Sequence, residues 1–370
     1  MHISKIILKN FRNYEKLDLD LNEGTNLIYG LNGQGKTNII EAIYFFAACR
    51  SHRTNHEKDL IKYNMPFAEA EIIFKNSERD MSAKIRLFPN ERHYMEVNGV
   101  KILKNSELIG NFNAVLFSPE DFSIIKEGPS ERRRFTDIAI SQVKKSYFEC
   151  LVNYSKVLKQ KNKLLKEEKA FNTVTEIYNE QLADFGSKII FHRNKFFEFI
   201  KEASVKIYRE ITLSTEKFEI KYDSCVKIQE LSKMKKELFS KLESLKTKEM
   251  FERTSIFGPH REDVRFFING KDVRDFASQG QQRTVILVLK LAFAEFIREI
   301  KGEYPVLLLD DILSELDSYR RKYLLEEIRD KQVIITSTDK GSFGRRKNTK
   351  LIHIENAQIV GRDDSARRVN

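Results

Sequence analysis

Gly30-Leu31-Asn32-Gly33-Gln34-Gly35-Lys36-Thr37 has the spacing of a phosphate-binding loop, G-x-x-x-x-G-K-[ST]. The apolar run before it, Leu27-Ile28-Tyr29, predicts a buried strand, and the pattern after it, Ile39 to Cys49, predicts a helix. That order carries the chemistry: the glycines let backbone N–H groups turn inward around phosphate oxygens, where the helix adds the positive end of its dipole. Gly30, Leu31, Asn32, Gly33, Gln34 and Gly35 are therefore expected to cradle a nucleoside triphosphate. Lys36 is expected to reach its β- and γ-phosphates, and the Thr37 hydroxyl to ligate Mg²⁺.

Two further stretches complete the pattern. Val306-Leu307-Leu308-Leu309-Asp310-Asp311 is an apolar run closed by carboxylates, as expected of a central parallel strand whose carboxyl end faces the nucleotide. Asp310 is placed to hold Mg²⁺ through water, and Asp311 to orient or deprotonate the attacking water, which makes Asp311 and Lys36 the candidate catalytic pair. Taken alone, a buried strand followed by an acidic helix cap would read the same way. Ala277-Ser278-Gln279-Gly280-Gln281-Gln282-Arg283 opens a helix expected from about Gln281 to Ile300. It reads either as a polar cap, with Ser278 and Gln281 as a capping box, or as a second anion site built on the helix N-terminus.

Ser278-Gln279-Gly280-Gln281 resembles the signature motif of ABC-type ATPases, and Ser314-Glu315-Leu316-Asp317, ending on Asp317, resembles their D-loop. In that family two heads pack head to tail, and each signature motif caps the γ-phosphate held by its partner. The resemblance thus implies that Ser278 to Gln281 act in trans across an ATP-dependent homodimer, which hydrolysis would open.

Ile3 to Leu8 followed by Asn10-Phe11-Arg12-Asn13-Tyr14 resembles the opening strand and loop of SMC-like chromosome and repair ATPases, which would place Arg12 near the nucleotide. Phe117-Ser118-Pro119-Glu120-Asp121, Gly128-Pro129-Ser130-Glu131-Arg132-Arg133-Arg134-Phe135 and Gly258-Pro259-His260-Arg261-Glu262-Asp263 are most similar to the RecF family. That resemblance covers nearly the whole chain and is weakest from about Lys166 to Met250. It implies an α/β fold, an ABC-type, SMC-like head with an inserted, mainly helical lobe. It also implies ATP and Mg²⁺ as cofactors, weak ATPase activity and DNA binding in recombinational repair and replication-fork maintenance. RecR, with RecO, is the implied partner in loading RecA at single-strand gaps.

Several positions depart from the pattern. Glu262 stands where Asp is expected, and Asp311 occupies the place of the usual ABC glutamate. Thr336 to Asp339, after the strand Val333 to Ile335, replaces a switch histidine, and Ser118 to Glu120 stands in for a Q-loop glutamine.

Composition sets the bounds. The 370 residues carry a formal charge of +11, from 65 basic and 54 acidic side chains, which favours polyanionic partners without distinguishing DNA from RNA or anionic lipid. The apolar stretches Ile39 to Cys49 and Val285 to Ile297 are interrupted by Glu41 and Lys290 and fall short of the roughly 20 residues a membrane span needs. No secretory apolar region opens the sequence, so the expected location is the cytoplasm. Cys49, Cys150 and Cys225 are scattered without C-x-x-C spacing, which suits a reducing compartment.

The 240 residues between Thr37 and Ser278 suggest a head split by an insertion. Phe67 to Phe74, Met81 to Phe88 and Tyr94 to Val97 read as strands, with Asn98-Gly99 as a hairpin turn. After Arg134 the period becomes helical: Tyr147, Leu151, Tyr154, Leu158, Lys161 and Leu165 share one stripe. The expected division is 1–135 as the first part of the head, 136–250 as the lobe and 251–370 as the second part. Two stretches carry a local +5: Ser141 to Ala170, with eight Lys against three Glu, and Lys340 to Asn370, with eight Lys or Arg against three acids. Arg132, Arg133, Lys144, Lys145, Arg345 and Arg346 are the candidate DNA contacts, through sequence-independent phosphate binding. Two other classes fit parts of this pattern: the ATP-hydrolysing subunit of a transporter, and a sensor that binds ATP without productive turnover.

Overall fold

A computed structural model of the chain describes residues 1–167, 172–339 and 348–364. Fifteen strands in three sheets alternate with helices among them. The strands are β1 (His2–Phe11), β2 (Tyr14–Asp20), β3 (Thr25–Tyr29), β4 (Ala68–Lys75), β5 (Asp80–Leu87), β6 (Tyr94–Val97), β7 (Val100–Ile102) and β8 (Ala114–Phe117). They continue with β9 (Phe218–Asp223), β10 (Asp263–Ile268), β11 (Lys271–Asp272), β12 (Val306–Leu309), β13 (Val333–Ser337), β14 (Thr349–Glu355) and β15 (Gln358–Asp364).

The chain divides into two compact units, residues 1–121 with 287–370 and residues 122–286. The sequence-based division followed the change of hydrophobic period. The compact units instead part at residue 121 and inside the helix Gln279–Lys301.

The first unit contains two six-stranded sheets. One has the order β15-β14-β3-β13-β12-β8, in which β14, β3, β13, β12 and β8 run parallel and β15 returns antiparallel at the edge. Its interior strands are continuous apolar runs because both faces are covered; Val306, Leu307, Leu308 and Leu309 are all fully buried. The phosphate-loop strand β3 lies between β13 and β14, with Ile335 beside Leu27 on one side and Leu351 on the other. The second sheet, β2-β1-β4-β5-β6-β7, is antiparallel and alternates buried with exposed residues. Asn98 and Gly99, at φ 52° and 74°, make its last hairpin turn with the left-handed backbone that Asn-Gly accommodates.

The second unit is built around the helices Pro129–Val143, Lys145–Lys166 and Asn172–Thr212. The last has 41 residues and, at 1.5 Å per residue, is about 60 Å long. The expected stripe is its core: Tyr147, Tyr154 and Leu165 are buried, and so is Lys161, whose ammonium meets the buried Glu249 carboxylate at 2.5 Å. The helix Leu231–Ser244 packs through Met234, Leu238 and Leu242, and this leaves its lysines toward solvent. The lobe also contains a three-stranded sheet, β11-β10-β9, that the helical periodicity did not announce.

Candidate functional site

The phosphate loop leaves the carboxyl end of β3 and enters the helix Lys36–Ala48, which is buried over most of its length. Gly30 is required here. Its φ is 152°, and a Cβ on it would stand 2.2 Å from the carbonyl oxygen of Ile354. Gly33 and Gly35 also have positive φ, 79° and 106°. A Cβ at Gly35 would press on the side chains of Asn13 and Tyr14, whereas one at Gly33 would meet nothing within 4 Å. The Tyr14 hydroxyl donates to Gly35 O at 3.2 Å and pins the loop from β2. Gln34 ties it to the β14–β15 turn: its carbonyl accepts from Ala357 N and its Oε1 from Asn356 N. Leu31 stands out from the loop at 74% exposure.

The Lys36 ammonium lies within this cradle and donates to Gly30 O at 2.8 Å and Leu31 O at 2.9 Å. Burial lowers its pKa, while Asp311 and Asp310 oppose the shift. Thr37 Oγ1 donates to Asp310 Oδ1 at 2.9 Å, so residues 273 positions apart meet at one oxygen. Burial pushes the Asp310 carboxyl above its usual range, against the hydroxyls of Thr336 and Thr37 that favour its charged form. Asp311, the next residue, sits at φ 50° in the left-handed region, a sharp turn at the end of β12.

Thr336 opens the stretch that stands in place of a switch histidine, where the sequence alone assigns it no role. Its hydroxyl donates to Asp310 Oδ1 at 2.7 Å and accepts from Asp311 N at 3.0 Å, and so it fixes both carboxylate-bearing residues from the neighbouring strand β13. The available signal was a hydroxyl one residue beyond the apolar run of a parallel strand, in the stretch where a switch histidine was missing. Glu120, in the stretch expected to stand in for a Q-loop glutamine, also lies within electrostatic range of Asp310. The Asp121 carboxylate beside it pairs with Lys290 at 2.5 Å, and both groups are largely buried.

Arg12 is committed to protein partners. Its Nε and Nη2 grip Glu41 at 2.8 and 2.6 Å and its Nη1 donates to Asp59 O, so all three nitrogens are engaged with the protein. Arg53 is the more exposed cation there. It bonds Asn38 Oδ1 at 3.0 Å, and Asn38 in turn bonds Asn13. Asp317 caps the helix Ser318–Glu327, accepting from Arg320 N at 2.9 Å. That backbone bond is the largest cause of its lowered pKa.

In the second unit, Ser278 and Gln281 form the reciprocal capping box: Ser278 N donates to Gln281 Oε1 at 2.9 Å and Gln281 N to Ser278 Oγ at 3.2 Å. The helix begins at Gln279, two residues earlier than expected, and therefore includes Gly280 in its first turn. Gln281 also donates through Nε2 to Glu216 at 2.7 Å.

Among the candidate DNA contacts, Arg132 is withdrawn. It is 5% exposed and forks onto Asp263 at 2.7 and 3.0 Å, with its third nitrogen on Glu127 O, which leaves nothing for a phosphate. Arg133 is half-buried and donates to Glu262 O. Lys144, between two helices, and Lys145, the first residue of the second, are exposed. Arg345 and Arg346 lie outside the described residues.

The arrangement up to this point is a glycine-lined loop, a buried lysine and paired hydroxyl and carboxylate oxygens at the carboxyl ends of parallel strands. Residues 2–360 match the family model described as the RecF/RecN/SMC N terminal domain. The chain belongs to that family. RecF-family relatives match along nearly their whole length: the DNA replication and repair protein RecF of Clostridium novyi is 44% identical, over 91% of this chain and 93% of its own. That of Clostridium perfringens is 41% identical over 97% and 99%. The solved structure of the recombination mediator protein RecF-ATP in the RecFOR pathway superposes with a TM-score of 0.91 at 37% identity, covering 98% of this chain and 97% of that one. The Smc head domain of Pyrococcus furiosus, at 19% identity and a TM-score of 0.55, shares the fold. The RecF-family chain described here therefore has the SMC-like ABC-type ATPase fold. Among its described residues, no helix is long and apolar enough to cross a membrane.

Proposed function

We propose that this chain is an ATP-driven, DNA-binding dimer of recombinational repair and replication-fork maintenance. The observation that carries the reading is the meeting of Lys36, Thr37, Asp310 and Asp311 at the carboxyl end of one parallel sheet. The nearly full-length likeness to RecF proteins supports it and disfavours a transporter subunit.

The residues present fit Mg-ATP. Thr37 and Asp310 present adjacent hard oxygens, and a carboxyl whose pKa burial has raised would gain from a cation beside it. Mg²⁺, when bound, would neutralise charge on the β- and γ-oxygens. Lys36 turns from the carbonyls of Gly30 and Leu31 to the phosphates, while the loop N–H groups and the helix N-terminus hold the remaining anionic oxygens. Asp311, set by its left-handed turn and by Thr336, orients the attacking water. Its side chain is one methylene shorter than the glutamate usual at this position, so turnover is slow and hydrolysis serves as a release step. Ser278, Gln279, Gly280 and Gln281 cap the γ-phosphate of a second copy, and Asp317 lies in the D-loop of the same interface. Lys144, Lys145 and Arg133 are the remaining candidates for DNA phosphates.

The protein acts in the cytoplasm, with RecR and through it RecO, to load RecA at gaps. Sedimentation with ATP, ADP or no nucleotide tests the clamp. ATP alone is expected to produce dimers, and Ser278→Arg to abolish them without loss of ATP binding. A monomer under all three conditions would refute it. A nucleotide sensor without turnover is separated by Asp311→Asn: phosphate release equal to that of the parent favours the sensor.

A further inference from the structure

The sheet of the second unit ends on an open strand. Among the described residues β9 pairs only with β10, and the bonding pattern shows which of its peptide groups are free. Lys217 turns both backbone groups toward Asn269: its N donates to Asn269 Oδ1 and its O accepts from Asn269 N, each at 2.8 Å. Antiparallel pairing alternates by two residues, so Glu219 and Lys221, opposite Phe267 and Arg265, also face β10. The N–H and C=O groups of Phe218, Ile220 and Tyr222 consequently point to the free edge. Among the described residues no backbone or side-chain partner meets them there.

This edge lies in an open groove of about 650 Å³. One wall is a stripe of the long helix, Lys201, Val205 and Arg209; the other is Lys217, just before β9, Lys221 of β9 and Phe267 of β10. The groove has one carboxylate, Glu219, and Lys217 is already paired with it at 2.5 Å. Three cations, on Lys201, Arg209 and Lys221, have no ion-pair partner among the described residues.

We propose that β9 is a docking edge for an acidic, extended protein segment, which adds as a fourth strand to the β11-β10-β9 sheet. A second copy of this edge is disfavoured because its own lysines would face these. A nucleic acid backbone is disfavoured for another reason: phosphate oxygens accept but do not donate, and the carbonyls of Phe218, Ile220 and Tyr222 would remain unpaired. An added strand satisfies donors and acceptors together. Its carboxylates, on one face, meet Lys201 and Arg209 of the helix, and its alternate apolar residues lie on the opposite face, the side of Phe267. None of the groove's lining residues is among those assigned to the nucleotide, so its test does not depend on the dimer clamp.

The probe is a fluorescein-labelled eight-residue peptide of alternating Glu and Val, titrated into the full chain by anisotropy. It is compared with the same peptide N-methylated at alternate residues and with a 20-nucleotide single strand as competitor. Saturable binding of the first peptide is expected, with at least tenfold weaker binding after N-methylation and in Lys201→Glu/Lys221→Glu, whose exposed positions leave the fold intact. Absence of peptide binding, equal affinity for the two peptides, or displacement of the peptide by a single strand that itself fails on the double variant would each overturn the proposal.

Discussion

Arg12 and Glu41 form a two-pronged ion pair, Nε to Oε2 at 2.8 Å and Nη2 to Oε1 at 2.6 Å, and the carboxylate is wholly buried. The pair ties the β1–β2 turn to the helix behind the phosphate loop. Arg12→Ala leaves Glu41 to the Ser51 hydroxyl and to Arg53 at 3.7 Å. The expected cost is about 3 kcal/mol, because a buried charge loses its principal partner. Urea denaturation checks this, and Arg12→Ala/Glu41→Gln should recover part of the loss. If Arg12 instead served the nucleotide alone, the single variant would weaken ATP binding and leave the urea midpoint unchanged.

Gly30→Ala is expected to remove ATP binding. The added methyl meets Ile354 O at 2.2 Å, and φ 152° is a backbone state that L residues rarely adopt. Gly33→Ala meets no neighbour within 4 Å and is expected to cost less, through its φ of 79° alone. Equilibrium binding of a fluorescent ATP analogue to the two variants should rank them in that order.

Asp310→Asn should separate stability from activity. Burial holds the carboxyl above its unfolded pKa, so its ionised form opposes folding at neutral pH, and that opposition grows as pH rises through the folded value. Asparagine keeps an oxygen for the Thr37 and Thr336 hydroxyls without the charge. The variant is expected to melt higher than the parent, by a gain on the order of 1 kcal/mol, and to lose Mg²⁺-dependent hydrolysis. Scanning calorimetry and phosphate release are the two readouts; a lower melting temperature would contradict the account.

His260 makes stability depend on acidity. Its Nε2 donates to Ser255 O at 3.2 Å, its Nδ1 accepts from the Tyr154 hydroxyl at 2.7 Å, and burial lowers its pKa to about 4. A histidine depressed in the folded state contributes fully above its unfolded pKa near 6.5 and loses that contribution as pH falls toward 4. By pH 5 the loss is about 2 kcal/mol for this group. Urea midpoints at pH 7 and pH 5 should show that drop, and His260→Gln should reduce it.

The sequence made the head legible because its chemistry is local in sequence and strict in residue type. A glycine loop, Lys36 and Thr37 identify themselves, and so does an apolar strand ending in Asp310 and Asp311. Their meeting required only that both strands be parallel in one sheet. Thr336 was less legible, since a threonine ending a buried strand is ordinary until its neighbour is known to be Asp310. Arg132 misled for the opposite reason: a run of three arginines reads as surface charge, and nothing local announces Asp263, 131 residues away, as its partner. The sheet of the lobe was hidden because β9 and β10 lie 40 residues apart, each flanked by helical patterns.

The place of β3 has a consequence for synthesis. Its two neighbours in the sheet are β13 and β14, from residues 333–355, and the turn that steadies Gln34 follows at Asn356 and Ala357. The ribosome delivers the glycine loop roughly three hundred residues before the strands that shape it. A nascent chain halted anywhere before that hairpin would therefore bear the motif without the pocket, and nucleotide capture becomes a report that translation has passed it.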